Sequence, residues 1–195
     1  SAAVLKAFCG EHGGITCTSS NARAVMEWSW ARQEKILFFP DEHLGRNTAN
    51  KMGLPREEMI VWDPYQPNGG NTREAIQRAK LILWKGHCSV HQMFQPVHVD
   101  NFRKQYPDGK VIVHPECHED VVNKADLSGS TELIIRTVTD APSGTAWAVG
   151  TELNLVNRLK RDLTDKKVLF LSSTVCQCAT MFRIDGAHLC WVMEN

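Results

Sequence analysis

Residues 110–116 read K-V-I-V-H-P-E. Three β-branched residues follow one another without polar alternation, and the run stops at His-Pro-Glu. A short apolar run of this kind is a strand covered on both faces, and such strands belong to parallel sheets flanked by helices. Five other stretches share the character: K-I-L-F-F-P at 35–40, M-I-V-W-D at 59–63, L-I-L-W-K-G at 81–86, T-A-W-A-V-G at 145–150 and K-V-L-F-L-S at 167–172. Amphipathic stretches lie between them, among them N-A-R-A-V-M-E-W-S-W-A-R-Q at 21–33 and E-L-N-L-V-N-R-L-K-R-D-L at 152–163. Strand and helix alternate along the chain. That order predicts an α/β fold of three-layer α-β-α units with short parallel sheets.

The chain also repeats itself, weakly. C-T-S-S-N-A at 17–22 and L-S-G-S-T-E at 127–132 each place hydroxyls at a helix start, followed by a strand with an acidic residue at its end. Ser19 and Ser130, Asp41-Glu42 and Thr151-Glu152, and Cys88 and Cys178 recur at offsets of 111, 110 and 90 residues. The repeat predicts two similar, pseudo-symmetric α/β domains, residues 1–100 and 101–195. In such folds ligands bind where the strands end.

The 195 residues are enough to bury a sizeable core. Lys plus Arg is 22 and Asp plus Glu is 22, so no basic footprint for nucleic acid or an acidic membrane surface is expected. No run of 18 apolar residues exists to span a membrane. The opening S-A-A-V-L-K-A-F-C-G-E-H lacks the marks of a signal peptide and reads as a helix entered in its first turn. The closing H-L-C-W-V-M-E-N stops inside an apolar pattern, so both ends read as cut. Seven cysteines, at 9, 17, 88, 117, 176, 178 and 190, are an odd number in a chain that is not small. That argues for a reducing compartment rather than a disulfide framework.

Cys176 and Cys178 stand in V-C-Q-C-A-T-M-F-R at 175–183. C-x-C is not the C-x-x-C of a thioredoxin-like pair, and a zinc knuckle wants a second close pair. One distant cysteine is the better partner, and Cys88 follows a strand in W-K-G-H-C-S-V-H-Q-M-F. Soft thiolates select zinc or iron–sulfur. Two cysteines leave such a site incomplete, and packed core thiols are the plain alternative. His114 and Glu116 lie two apart at a strand end, so both can point into one site, where they suit proton transfer or a metal. The alternative is that Pro115 ends the strand and both face water. The two hydroxyl-rich stretches each supply a helix N-cap. With the helix-start N–H groups they also make cradles for phosphate or carboxylate, although neither is a P-loop.

Seven motifs now stand in order: T-S-S-N-A at 18–22, P-D-E-H-L-G at 40–45, G-H-C-S-V-H-Q-M-F at 86–94, V-I-V-H-P-E at 111–116, S-G-S-T at 128–131, V-G-T-E at 149–152 and C-A-T-M at 178–181. Together they resemble the quinolinate synthase family over nearly the full chain. C-x-C-x-x-M-x-R and H-P-E-C look most like its plant and cyanobacterial branch. The resemblance implies condensation of iminoaspartate with dihydroxyacetone phosphate to quinolinate, phosphate and water. It implies a [4Fe–4S] cluster held by three cysteines, one from each of three similar α/β domains, with an open iron acting as Lewis acid. On that pattern Cys88 and Cys178 are the second and third ligands. The first comes from a domain outside this chain, and the chain itself is the second and third domains.

The resemblance also assigns site residues. Glu116 would be the general acid or base, with His114 its partner or a substrate ligand. Ser19, Ser130 and Thr131 would bind phosphate or carboxylates, and Thr151 and Glu152 would line the pocket. His91 would stand beside Cys88. Cys176 lies outside the ligand pattern, and Ala179 replaces a proline common in the family. The implied partners are the two small substrates, an iminoaspartate-producing enzyme and a second copy in a homodimer. The implied compartment is the cytoplasm of a prokaryote or the plastid of a plant. Two rivals stand beside this reading: a non-catalytic scaffold fragment, and a zinc-dependent lyase using Cys88, His91 and Cys178.

Overall fold

The apolar runs are strands in the computed structural model, which describes residues 3–194. The six expected ones are β1 (Ile36–Phe38), β2 (Met59–Trp62), β3 (Leu81–Trp84), β4 (Lys110–Val113), β6 (Ala146–Gly150) and β7 (Lys167–Phe170). A seventh, β5 (Leu127–Ser128), is two residues long and sits inside the hydroxyl-rich stretch, where no apolar run marks it. They form two sheets, ordered β1-β3-β2 and β5-β4-β6-β7, and every pairing is parallel. Parallel neighbours need crossover connections, and helices supply them. These include α3 (Glu42–Lys51), α4 (Arg73–Arg78), α8 (Thr131–Asp140) and α9 (Leu153–Asp162), while α2 (Ala22–Trp30) precedes the first strand. The α/β fold read from the sequence is the fold observed.

The second sheet shows why its strands lack polar alternation. Val111 and Val113 pack with Phe94, Val99 and Phe102 on one face. Ile112, between them, packs with Ile134, Val138 and Trp147 on the other. Side chains alternate across a strand, and here both faces are covered. On the first sheet Ala22 and Met26 of α2 and Leu44 of α3 close over Phe38, Met59, Leu81 and Leu83. The expected division at residues 100/101 falls inside α6 (Pro96–Gln105), whose Val99 and Phe102 belong to the second sheet's core.

Two sequence expectations change. Cys88 follows β3, the central strand of its sheet, whereas Cys178 lies beyond β7, an edge strand. Their offset of 90 residues is therefore not a topological equivalence. The second concerns helix starts. Ser130 caps α8 as expected, its Oγ accepting from Leu133 N at 3.3 Å. The hydroxyls before α2 do not cap it. Asn21 holds the N-cap position, but its Oδ1 turns back to accept from Thr18 N at 2.7 Å. That leaves the Ser19 hydroxyl for a partner elsewhere. Among the described residues, no helix is long and apolar enough to cross a membrane.

Candidate functional site

Four strands deliver their following loops to one place. β1 runs through Pro40 to Asp41, the N-cap of α3. β3 runs through Gly86 to Cys88 and the short helix α5 (Ser89–Gln92), which carries His91. β4 runs into His114-Pro115-Glu116, and β6 into Thr151. All are C-terminal strand ends, where open parallel sheets bind ligands. The loops touch closely. Gly86 O accepts from Glu42 N at 2.9 Å, and a Cβ at Gly86 would collide with the Pro40 carbonyl oxygen. Only glycine leaves that approach open.

Cys88, His91 and Glu116 each bring one ligand atom to within 4.8 Å of the other two. His91 and His114 are buried, and their rings stack with centroids 4.5 Å apart at 20°. His91 Nε2 lies 3.3 Å from Thr151 Oγ1. Its Nδ1 comes within 2.9 Å of Glu116 Oε2 but has no aligned hydrogen-bond partner. The buried ring nitrogen, the thiol and the carboxylate lie close enough together to share one metal ion. The set of sulfur, nitrogen and oxygen fits a metal of borderline softness.

The two histidines hold their protons oppositely. Burial alone would lower His91, but the close thiol of Cys88 and carboxylate of Glu116 outweigh it and raise its pKa to about 9. Burial lowers His114 to about 4, and the neighbouring His91 charge adds to the effect. His114 is therefore neutral at pH 7. Its Nδ1 accepts the Glu116 backbone N–H at 3.3 Å, which places its hydrogen on Nε2, 3.1 Å from Ser19 Oγ. For Glu116, burial works to raise the pKa, yet the close approach of His91, with His114 beside it, holds it below the ordinary carboxylate range. Asp41 is pushed up to about 6, first by burial.

The structure thus brings together Cys88, His91, His114, Glu116, Thr151 and Ser19. Glu152 caps α9, accepting from Asn154 N at 2.8 Å and Leu155 N at 3.3 Å. Ser130 and Thr131 stand at the start of α8, just beyond β5. Cys178 is not in the three-donor group; its Sγ accepts from Met181 N at 3.5 Å. Two residues that sequence reasoning passed over now stand out. Asp41 Oδ2 accepts the Cys88 N–H at 3.0 Å. Asn47, 2% exposed, donates from Nδ2 to Pro115 O and Cys117 O, both at 2.8 Å. No local pattern marks Asn47, because α3 reads as a polar helix; its burial and its two carbonyl partners single it out.

The family model described as "Quinolinate synthetase A protein" matches residues 1–195. The chain is 61% identical over 196 residues to the quinolinate synthase of Rhodopirellula baltica, covering 100% of this chain and 50% of that protein. It is 56% identical over 197 residues to that of Acidobacterium capsulatum, covering 100% and 53%. The quinolinate synthase of Nocardioides sp. is 54% identical over 202 residues, with 100% and 51% covered. The chain spans about half the length of the curated relatives it matches. Strand-end geometry, ordered motifs and full-length match converge, and the chain belongs to the quinolinate synthase family.

Proposed function

We propose that this chain supplies most of the substrate pocket and two metal-ligating cysteines of a quinolinate synthase, which joins iminoaspartate to dihydroxyacetone phosphate. The convergence of Cys88, His91 and Glu116 from two sheets carries the reading. Residues 1–100 and 101–195 act as its second and third α/β domains, with α6 bridging that line. Cys88 and Cys178, with a cysteine from outside this chain, hold a [4Fe–4S] cluster. When bound, the cluster supplies a Lewis acid beside the substrate.

The chain's own residues bind, orient and move protons. Ser19 Oγ accepts from His114 Nε2, which leaves the serine hydrogen to donate to a phosphate or carboxylate oxygen. Ser130, Thr131 and the first N–H groups of α8 offer a second anion cradle. Thr151 orients the His91 ring from behind, as an outer partner does for a metal-site histidine. Glu152 acts by holding α9 at the pocket wall. Glu116, ionised at pH 7, takes and returns protons during condensation, loss of water and ring closure. A reducing compartment, such as a prokaryotic cytoplasm or a plastid, suits seven cysteines that are all unbridged. Partners of this reading are the two substrates, an enzyme releasing iminoaspartate, and a second copy of the chain.

The test is anaerobic turnover by the full-length protein, with quinolinate measured alongside iron, zinc and labile sulfide. Quinolinate released with iron and sulfide bound supports the reading. Zinc without sulfide would favour a zinc-dependent lyase. Intact metal without any quinolinate would favour a non-catalytic scaffold.

A further inference from the structure

The residues of α3 that touch other elements are not scattered. Asp41, its N-cap, accepts from Leu44 N at 2.7 Å with Oδ1 and from Cys88 N at 3.0 Å with Oδ2. Asn47 donates to the two carbonyls flanking Glu116, those of Pro115 and Cys117. Asn50 Nδ2 reaches Glu119 Oε2 at 3.4 Å, and Lys51 Nζ donates to Ser128 O at 2.7 Å. One helix therefore grips the Cys88 loop at its first turn, the His-Pro-Glu loop at its middle and the S-G-S-T loop at its end. Its other side is fixed to the first sheet, because Gly45 lies against Leu83 and Phe38 with no room for a Cβ.

Cys88 and Glu116 are linked directly through Gln92, whose Nε2 on the helix after Cys88 donates to Glu116 O at 3.3 Å, and α3 braces the same two loops over a longer span. The two residues sit on different sheets, and no strand pairing joins those sheets. A rigid helix with anchors at both ends fixes a distance that loops alone would leave loose. The Asn47 bonds are also the kind that cannot be exchanged for water cheaply, since donor and acceptors are enclosed.

We propose that Asn47 is a positioning residue for the reaction, and that α3 is a strut which sets Glu116 against Cys88. The inference rests on the reading of that cluster as the metal centre of the active site. Asn47 touches neither substrate nor metal; it acts through the backbone of Pro115 and Cys117.

The experiment uses the full-length protein with Asn47→Leu, which keeps the branched side-chain shape at a greater volume and removes both donors. Val138→Ala, in the second sheet's core and away from α3, is the control for lost stability. We expect the Asn47→Leu crystal structure to show the three donor atoms no longer all within 4.8 Å of one another. We expect kcat per bound metal to fall about 10- to 100-fold, the usual effect of losing an outer-shell partner, with KM little changed. Val138→Ala should melt lower and keep kcat. If Asn47→Leu does not fold, Asp41→Asn decides the matter: it can still cap Leu44, but it turns an N–H toward the Cys88 N–H. It should loosen Cys88 and lower kcat in the same way. Wild-type donor spacing and wild-type kcat in a folded Asn47→Leu or Asp41→Asn protein would overturn the proposal. A wild-type protein that makes no quinolinate would overturn the assigned reaction instead, and donor spacing in the variants would still decide the strut.

Discussion

Glu116 and His114 leave the same strand two residues apart, yet they carry opposite assignments at pH 7: one ionised, the other neutral. An ionised carboxylate beside a neutral imidazole is equipped to accept protons at pH 7. In the full-length enzyme Glu116→Gln should therefore retain iron and the fold, because the change is isosteric. It should lose about 10²-fold or more in rate. Iron content and turnover on one sample check this; near-normal turnover would remove the proton-transfer role, and lost iron would make Glu116 a support for the metal. Cys88, His91, His114 and Glu116 were legible in the sequence because their types are chemically pointed and their positions follow strands. The contact of His91 with Glu116 was not legible. It depends on how two loops from different sheets approach, which no local pattern encodes. Asn47 was invisible for another reason: an amide in a polar-looking helix reads as surface until its partners, about seventy positions away, are seen.

At the scale of elements, α3 owes its place to a glycine. Glycine inside a helix ordinarily costs about 1 kcal/mol against alanine. At Gly45 the balance reverses, since a Cβ would meet Leu83 Cδ2 at 2.5 Å and Phe38 Cδ1 at 2.7 Å. Gly45→Ala should therefore destabilise the protein by about 1–3 kcal/mol, read by denaturant unfolding. A second link joins the segment before β2 to α7 (Glu119–Lys124), where Arg56 bonds Glu119 through both nitrogens at 3.0 and 2.8 Å. The guanidinium bond holds the Glu119 pKa below its ordinary value. A carboxylate lowered on folding stabilises above its unfolded pKa of about 4.3, and that stability disappears as pH falls through the lower folded value. Because the Arg56 side chain is 70% exposed, the pair is worth about 1 kcal/mol at most. The stability difference between wild type and Arg56→Ala should be present at pH 7 and close below about pH 4. The strands of the second sheet were readable because both its faces are covered, which suppresses polar alternation. Those of the first were readable because its other face is apolar too, although Leu37 there is 44% exposed. β5 was not, because two residues carry no period.

For the whole molecule, the two sheets matter through the seam between them. The alternation of strand and helix patterns gave the α/β class, and the strands form two sheets, of three and four members. The repeat did not give the strand order, because hydrogen-bond partners of parallel strands lie far apart in sequence. The segment beyond β7 is largely exposed, and Cys176 and Cys178 are both partly accessible there. In the full-length protein Cys176→Ser should leave iron content unchanged, whereas Cys178→Ser should abolish it; equal loss from both would change the ligand assignment. The central claim is that Cys88 anchors a metal cluster at the seam where His91 and Glu116 converge. Iron and acid-labile sulfide, measured on anaerobic full-length protein with and without Cys88→Ser, test it most directly. The account predicts about four of each per wild-type chain and almost none in the variant. Unchanged iron and sulfide in Cys88→Ser would contradict it.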